Sequence, residues 1–161
     1  MDDDDLRLPV LTGRAWAFAD ELAAAEILPP RFAPLPAGEA AAHLFADLDA
    51  SLAAAIADGD VLVAGQQLGR GPGAAAAAHA LRAAGVVAVV AASYADGFDE
   101  ALLAAGLPAL EVDAPAIFHP GQRMRLNLEG ATIANLSSGD RQPIRNLTEP
   151  LLARLRALLD R

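Results

Sequence analysis

Two short apolar runs, DVLVAG (60–65) and GVVAVVAAS (85–93), flank an alanine-rich stretch, and this order constrains the chain more than any other feature. Each run is continuous rather than alternating, as in strands buried on both faces. The intervening PGAAAAAHALRAAG suits a helix of about thirteen residues ending on Gly85. Strand, helix and strand make a crossover between parallel neighbours. The pattern repeats, because YADGFDEALLAAG is helical in pattern and LPALEV is a third short strand. Upstream, LTGRAWAF (11–18) reads as a strand, and the prolines of ILPPRFAPLP exclude regular structure there. GEAAAHLFADLDASLAAAIADG carries two short helical patterns, with Gly59 capping the second. Downstream, MRLNLE, ATIANL and the polar turn SSGDRQ suggest a small antiparallel meander. LTEPLLARLRALL follows as an amphipathic C-terminal helix with Thr148 as N-cap and Pro150 just inside. The expected class is α/β, with one domain over residues 11–161 and an acidic tail over 1–10.

Charge narrows the function classes. The chain has 21 acidic against 12 basic residues and a formal net charge of -9, so a phosphate backbone is repelled and nucleic-acid binding is not expected. Asp2 to Asp5 read as a solvated tail, because consecutive acids repel one another. No window forms a membrane span and MDDDDLRLP is no signal peptide, so no membrane is expected and a cytoplasmic location is. Without cysteine the chain has no thiolate nucleophile and no thiolate ligands for zinc or an iron–sulfur cluster. His43, His79 and His119 have no helical-spacing partners, and no metal site is expected.

In parallel α/β units, ligands collect at the carboxyl ends of the strands. That rule selects Gly65 to Gly73 after one strand and Ser93 to Gly97 after the next. Gly69, Gly71 and Gly73 would let backbone approach a ligand closely, or would merely shape a tight turn. The loop has neither the lysine of a phosphate-binding loop nor the acidic ribose contact of a dinucleotide site.

Several phrases, in this order and spacing, resemble one family: TGRAWAF, EILPPRF, AAHLFADLDASLAAAIADGDVLVAG, LGRG, AAGVVAVVAASYADGF and AAGLPALEV. The chain is similar over residues 12–150 to the short-form small subunit of isopropylmalate isomerase, the swivelling β/β/α domain of the aconitases. The resemblance implies that fold, and a large-subunit partner that would carry any iron–sulfur cluster. It also implies a loop reading Phe-Gly-Cys-Gly-Ser-Ser-Arg-Glu-His, with a serine base and a carboxylate-binding arginine. This chain reads Leu68, Gly69, Arg70, Gly71, Pro72, Gly73, Ala74, Ala75, Ala76 instead. The Asp-Thr-Asp pattern expected before Ile27 is likewise replaced by alanines and Glu26, whereas Arg31, Ser93 and Asp96 match. Pro72 suits a first helical turn and alanine favours helix, so the backbone can persist without those side chains.

Two readings follow. In one, the domain is a cofactor-free lyase, isomerase or cyclase whose pocket, lined by Ala74 to Ala78, takes an organic substrate larger and more apolar than a hydroxy-diacid. Asp20 is then the carboxylate base and Arg70 the group that polarises a carbonyl. Arg31, Gly69, Gly71, Gly73, Ala75, Ser93 and Tyr94 bind substrate, Asp96 stands by, and Ala75→Phe should block binding. Each has a plainer role: Arg70 paired with a surface acid, Asp20 solvated, Arg31 packed on the proline-rich loop, Tyr94 filling core, His79 partly buried and His119 in a turn. In the other, the chain is a non-catalytic partner that docks on an iron–sulfur large subunit or another enzyme. A homo-oligomer is compatible with either.

Overall fold

The continuous apolar runs do form the buried centre of a sheet. The computed structural model describes residues 8–113, 115 and 119–159, so the Asp2–Asp5 run lies outside the described residues. Strand β1 (Val10–Ala17) precedes β2 (Val61–Ala64), β3 (Ala88–Ala91) and β4 (Ala109–Glu111). β5 (Arg123–Asn127), β6 (Thr132–Asn135) and β7 (Arg141–Pro143) follow, and all seven join one sheet in the order β4-β3-β2-β1-β5-β6-β7. Every residue of β2 and β3 is buried, as the unbroken Val/Ala/Leu runs require.

The meander is not a separate unit. β1 is shared: Val10 to Arg14 pair antiparallel with Asn127 to Arg123, and Ala15 to Ala17 pair parallel with Val61 to Val63. β2, β3 and β4 continue in parallel, whereas β5, β6 and β7 continue antiparallel. Gly13 sits at the changeover, where a Cβ would lie 1.9 Å from the Gly59 carbonyl oxygen, so only glycine admits the approach.

Among the helices, α1 (Ala24–Ile27), α2 (Ala37–Ala40) and α3 (Leu52–Ala55) are single turns. α3 stops at Ala55, so Gly59 caps no helix and instead turns the chain at φ 93° into β2. The proline-rich phrase contains one 3-10 turn, Pro30–Phe32, a geometry that tolerates proline at its start. α4 (Ala74–Ala83) is ten residues rather than thirteen, because Gly73 at φ 98° is its N-cap and Pro72 lies outside it. α5 (Phe98–Ala104) opens on Gly97, and α6 (Glu149–Leu159) on Thr148, whose hydroxyl accepts from the Leu151 amide at 3.4 Å. No helix of the described residues is long and apolar enough to cross a membrane.

Asp60 pins the start of β2 to β1. It is 4% exposed, and its Oδ2 accepts from Trp16 Nε1 at 2.7 Å, the Ala57 amide at 2.8 Å and Arg14 Nη2 at 3.0 Å. Burial opposes its charge, yet the Trp16, Ala57 and Arg14 donors together hold its carboxyl below the ordinary carboxylate value. The folded chain therefore binds this proton less readily than the unfolded chain does. The stabilisation is complete at neutral pH and is lost as pH falls below about 4 and through the folded-state value. Asp60→Asn should cost about 1–3 kcal/mol at pH 7 and should flatten the acid limb of stability. Urea unfolding of both proteins at pH 7 and pH 3 checks this; parallel losses would remove Asp60 from the acid response.

Candidate functional site

Beyond the carboxyl ends of β1, β2 and β3, three loops are laced together by backbone hydrogen bonds. The Glu21 amide donates to Gln66 O at 2.6 Å, Gly69 to Leu22 O at 2.7 Å and Ala24 to Arg70 O at 2.9 Å. On the other side, Leu68 donates to Ser93 O at 3.1 Å and Ala95 to Leu68 O at 2.9 Å. The Gly65–Arg70 segment is thus held from both flanks as an extension of the parallel sheet. Gly69 serves that packing: at φ 89°, a Cβ there would lie 2.1 Å from Cγ of Phe98, a fully buried ring. At Gly71 and Gly73 the backbone also has positive φ, but a Cβ would meet nothing within 4 Å.

A crevice of about 490 Å³ opens beside these loops, lined by Phe18, Asp20, Gly65, Gln66, Ala92 and Asp113, with Ala17, Ala19, Val63, Ala64 and Pro115 completing the wall. Asp20 enters from the end of β1, and its Oδ1 accepts from the Gln66 amide at 2.7 Å. Gly65 is required here, because a Cβ would lie 1.8 Å from that same oxygen. Asp113 enters beyond β4 and is bound by Arg145 Nη1 at 2.6 Å. Arg145 Nη2 donates to Ala92 O and stands 3.8 Å from Glu111 Oε1, so one guanidinium ties the ends of β3 and β4 at the crevice rim.

The structure disperses several sequence-selected residues. Ser93 is half-buried beside the crevice loop, its Oγ accepting from the Gln67 amide at 2.9 Å. Tyr94 turns inward, and its hydroxyl lies 2.8 Å from Leu110 O and 3.1 Å from Val89 O. Burial, and then the Glu111 carboxylate, push that phenol well above its ordinary value, which disables it as an acid near neutrality. Arg31 is exposed, forms a two-pronged pair with Asp47 at 2.7 and 3.0 Å, and lies over the Phe32 ring. Arg70 and Asp96 are exposed and do not line the crevice beside Asp20; the Arg70 guanidinium has no hydrogen-bond or ion-pair partner among the described residues. His119 occupies a turn, its carbonyl accepting from the Gln122 amide at 3.1 Å.

The alanines do not wall the crevice. Ala77 and Ala78 are buried in the core, Ala75 is exposed, and Ala76 with an exposed His79 borders a separate groove of about 230 Å³ under the Ala33–Ala37 loop. Asp20 and Ala76, expected to share one three-loop pocket, border separate depressions among the described residues. Gln66, Asp113 and Arg145 were not singled out in the sequence. Applying the carboxyl-end rule to the third strand as well as the first two selects Asp113. Arg145 has no local signal, since it arrives from beyond β7.

Comparison with known proteins places this geometry. The aconitase C-terminal domain model matches residues 49–115, which span β2, β3, β4 and both intervening loops. The 3-isopropylmalate dehydratase small subunit of Nautilia profundicola is 34% identical over 131 residues, covering 81% of this chain and 79% of the relative. The chain belongs to the 3-isopropylmalate dehydratase small-subunit family. Another member, small subunit 1 of Methanopyrus kandleri, is 32% identical over 152 residues, covering 92% of this chain and 88% of its own. The methanogen homoaconitase small subunit of Methanothermobacter thermautotrophicus is 30% identical over 147 residues, with 89% and 84% covered. The crystal structure of the 3-isopropylmalate dehydratase of Methanocaldococcus jannaschii matches with a TM-score of 0.79 and 26% identity, over 84% of this chain and 81% of that one. The swivelling-domain fold expected from the resemblance is thereby the fold of this family member. Its own donors do not fit an iron–sulfur cluster: there is no cysteine, and among the described residues no group of three or more His, Asp or Glu side chains converges.

Proposed function

We propose that this small-subunit family member binds, in the carboxyl-end crevice, an organic substrate larger and more apolar than a hydroxy-diacid, and acts on it with Asp20 as base. The observation that carries this is the crevice lining. Phe18, Val63, Ala64, Ala92 and Pro115 make its wall apolar, and the charged side chains in the lining are the carboxylates of Asp20 and Asp113. A dianionic substrate there would meet the Asp20 carboxylate, Asp113 being already paired with Arg145, whereas a neutral apolar one would gain burial against the wall. Asp20 Oδ1 is fixed by the Gln66 amide, which leaves Oδ2 to take a proton from an activated carbon or hydroxyl. Lyase, isomerase or cyclase chemistry of the proton-transfer kind suits such a base, with no cofactor held by this chain.

The second reading is that the chain is a docking partner. The relatives are named as small subunits, and Gly71, Gly73 and the exposed Arg70 and Ala75 present an unobstructed surface beside the laced loops. In that case any iron–sulfur cluster belongs to the large subunit. Amide-resolved NMR titration separates the readings, using an alkyl-substituted lactone and 3-isopropylmalate at matched concentrations. The lactone should shift the Ala19, Gln66 and Ala92 amides and the diacid should leave them in place. Shifts caused by the diacid alone would overturn the apolar-substrate reading. Tight co-elution with an iron–sulfur large subunit, with neither small molecule bound, would establish the docking reading in its place.

A further inference from the structure

The antiparallel half of the sheet buries one face and leaves the other open. Met124, Leu126 and Ile133 are buried, while Arg123, Arg125, Thr132 and Arg141 alternate with them and are exposed. The register sets Arg14 opposite Arg123, Thr12 opposite Arg125, Arg125 opposite Ala134 and Ala134 opposite Arg141. Arg14, Arg123, Arg125 and Arg141 therefore share one face across four adjacent strands, in a chain whose net charge is -9. Like charges facing each other across a strand pair are destabilising, so the cluster is held against a cost.

Those charges are poorly neutralised among the described residues. Arg14 pairs with the buried Asp60, and Asp58 also borders this end of the face. The guanidinium groups of Arg123, Arg125 and Arg141 have no hydrogen-bond or ion-pair partner among the described residues, although Arg31, Arg145 and Arg154 elsewhere all have carboxylates. The face is also apolar in part: Val10, opposite Asn127 in the register, is 53% exposed, and Leu136, whose amide donates to Arg123 O at 2.9 Å just past β6, is 43% exposed at its edge. Arginine mixed with exposed apolar side chains is the composition of protein–protein interfaces.

We propose that this face, Arg14, Arg123, Arg125 and Arg141 with Val10 and Leu136, docks a segment of a partner protein that carries acidic and aliphatic side chains. Charge complementarity selects the acids, and the two exposed aliphatics select a partner with apolar side chains over a polyphosphate chain. None of these residues lines the crevice, so the docking face stands apart from the proposed reaction.

Fluorescence anisotropy of the full chain tests it, with a labelled peptide of repeated Glu-Leu-Glu-Gly as probe and duplex DNA as the competing polyanion. The peptide should bind more tightly than the DNA and should weaken with added salt. Combined Arg123→Glu and Arg125→Glu should reduce its affinity by about tenfold or more, and Leu136→Ser by about threefold. Circular dichroism should show both variants folded, since all three side chains are exposed. Absence of peptide binding, unchanged affinity in the charge-reversed protein, or DNA binding as tight as the peptide would overturn the proposal. Replacing Asp2, Asp3, Asp4 and Asp5 with asparagine should leave peptide affinity unchanged; a severalfold gain would assign the face to the chain's own amino end instead.

Discussion

Gly69→Ala is expected to lower the melting temperature by about 10 °C, which corresponds to about 3 kcal/mol for a chain of this size. Two penalties add. The backbone at Gly69 has φ 89°, where a side chain costs about 1–2 kcal/mol. The new Cβ would also lie 2.1 Å from the Phe98 ring, and Phe98 is fully buried and cannot swing away. Overpacking of that kind costs about 1–3 kcal/mol. Gly71→Ala is the matched control, because its φ is 82° but its Cβ would meet nothing within 4 Å. Its expected cost is the conformational part alone, about 1–2 kcal/mol. Thermal melts of the two variants side by side isolate the contact with Phe98. Equal melting temperatures would mean that the loop is not seated on α5.

That same glycine shows what the sequence could and could not reveal. Alternating glycines after a strand were readable as a loop with close backbone approach, but the partner in that approach is an aromatic ring twenty-nine positions away along the chain, not a ligand. The parallel core was legible because uninterrupted runs such as Val61–Ala64 and Ala88–Ala91 suit only strands covered on both faces. The division of β1 between two neighbours was not, since pairing partners are set by tertiary packing and leave no mark on the local pattern. The helical readings between Ala37 and Ala55 shortened to single turns, because alanine propensity alone does not sustain a helix without an apolar face to bury. At the site, the carboxyl-end rule selected Gly65, which lines the crevice together with Asp20. It said nothing of where long side chains would find partners. Arg31 is drawn to Asp47, and Tyr94 to carbonyls of β3 and β4, by neighbours that only the folded chain supplies.

The largest functional effect expected is the absence of the reaction for which the relatives are named. The resemblance calls for a serine base and a carboxylate-binding arginine in the loop, and those positions hold Pro72, Gly73 and Ala74, none of which carries an ionisable or hydroxyl group. Loss of a general base alone removes about 10²–10⁴ in rate. Loss of a charge-assisted clamp on a substrate carboxylate weakens binding further, and the Asp20 carboxylate adds repulsion in the crevice. The effects fall on the same step, so the combined deficit should bring turnover to background even though the scaffold is intact. The most direct measurement mixes the purified chain with a competent iron–sulfur large subunit and follows interconversion of 2- and 3-isopropylmalate, with an authentic small subunit as the positive control. The expected result is no conversion above the large subunit alone, and measurable conversion would contradict the claim that the family's fold has been kept for different chemistry.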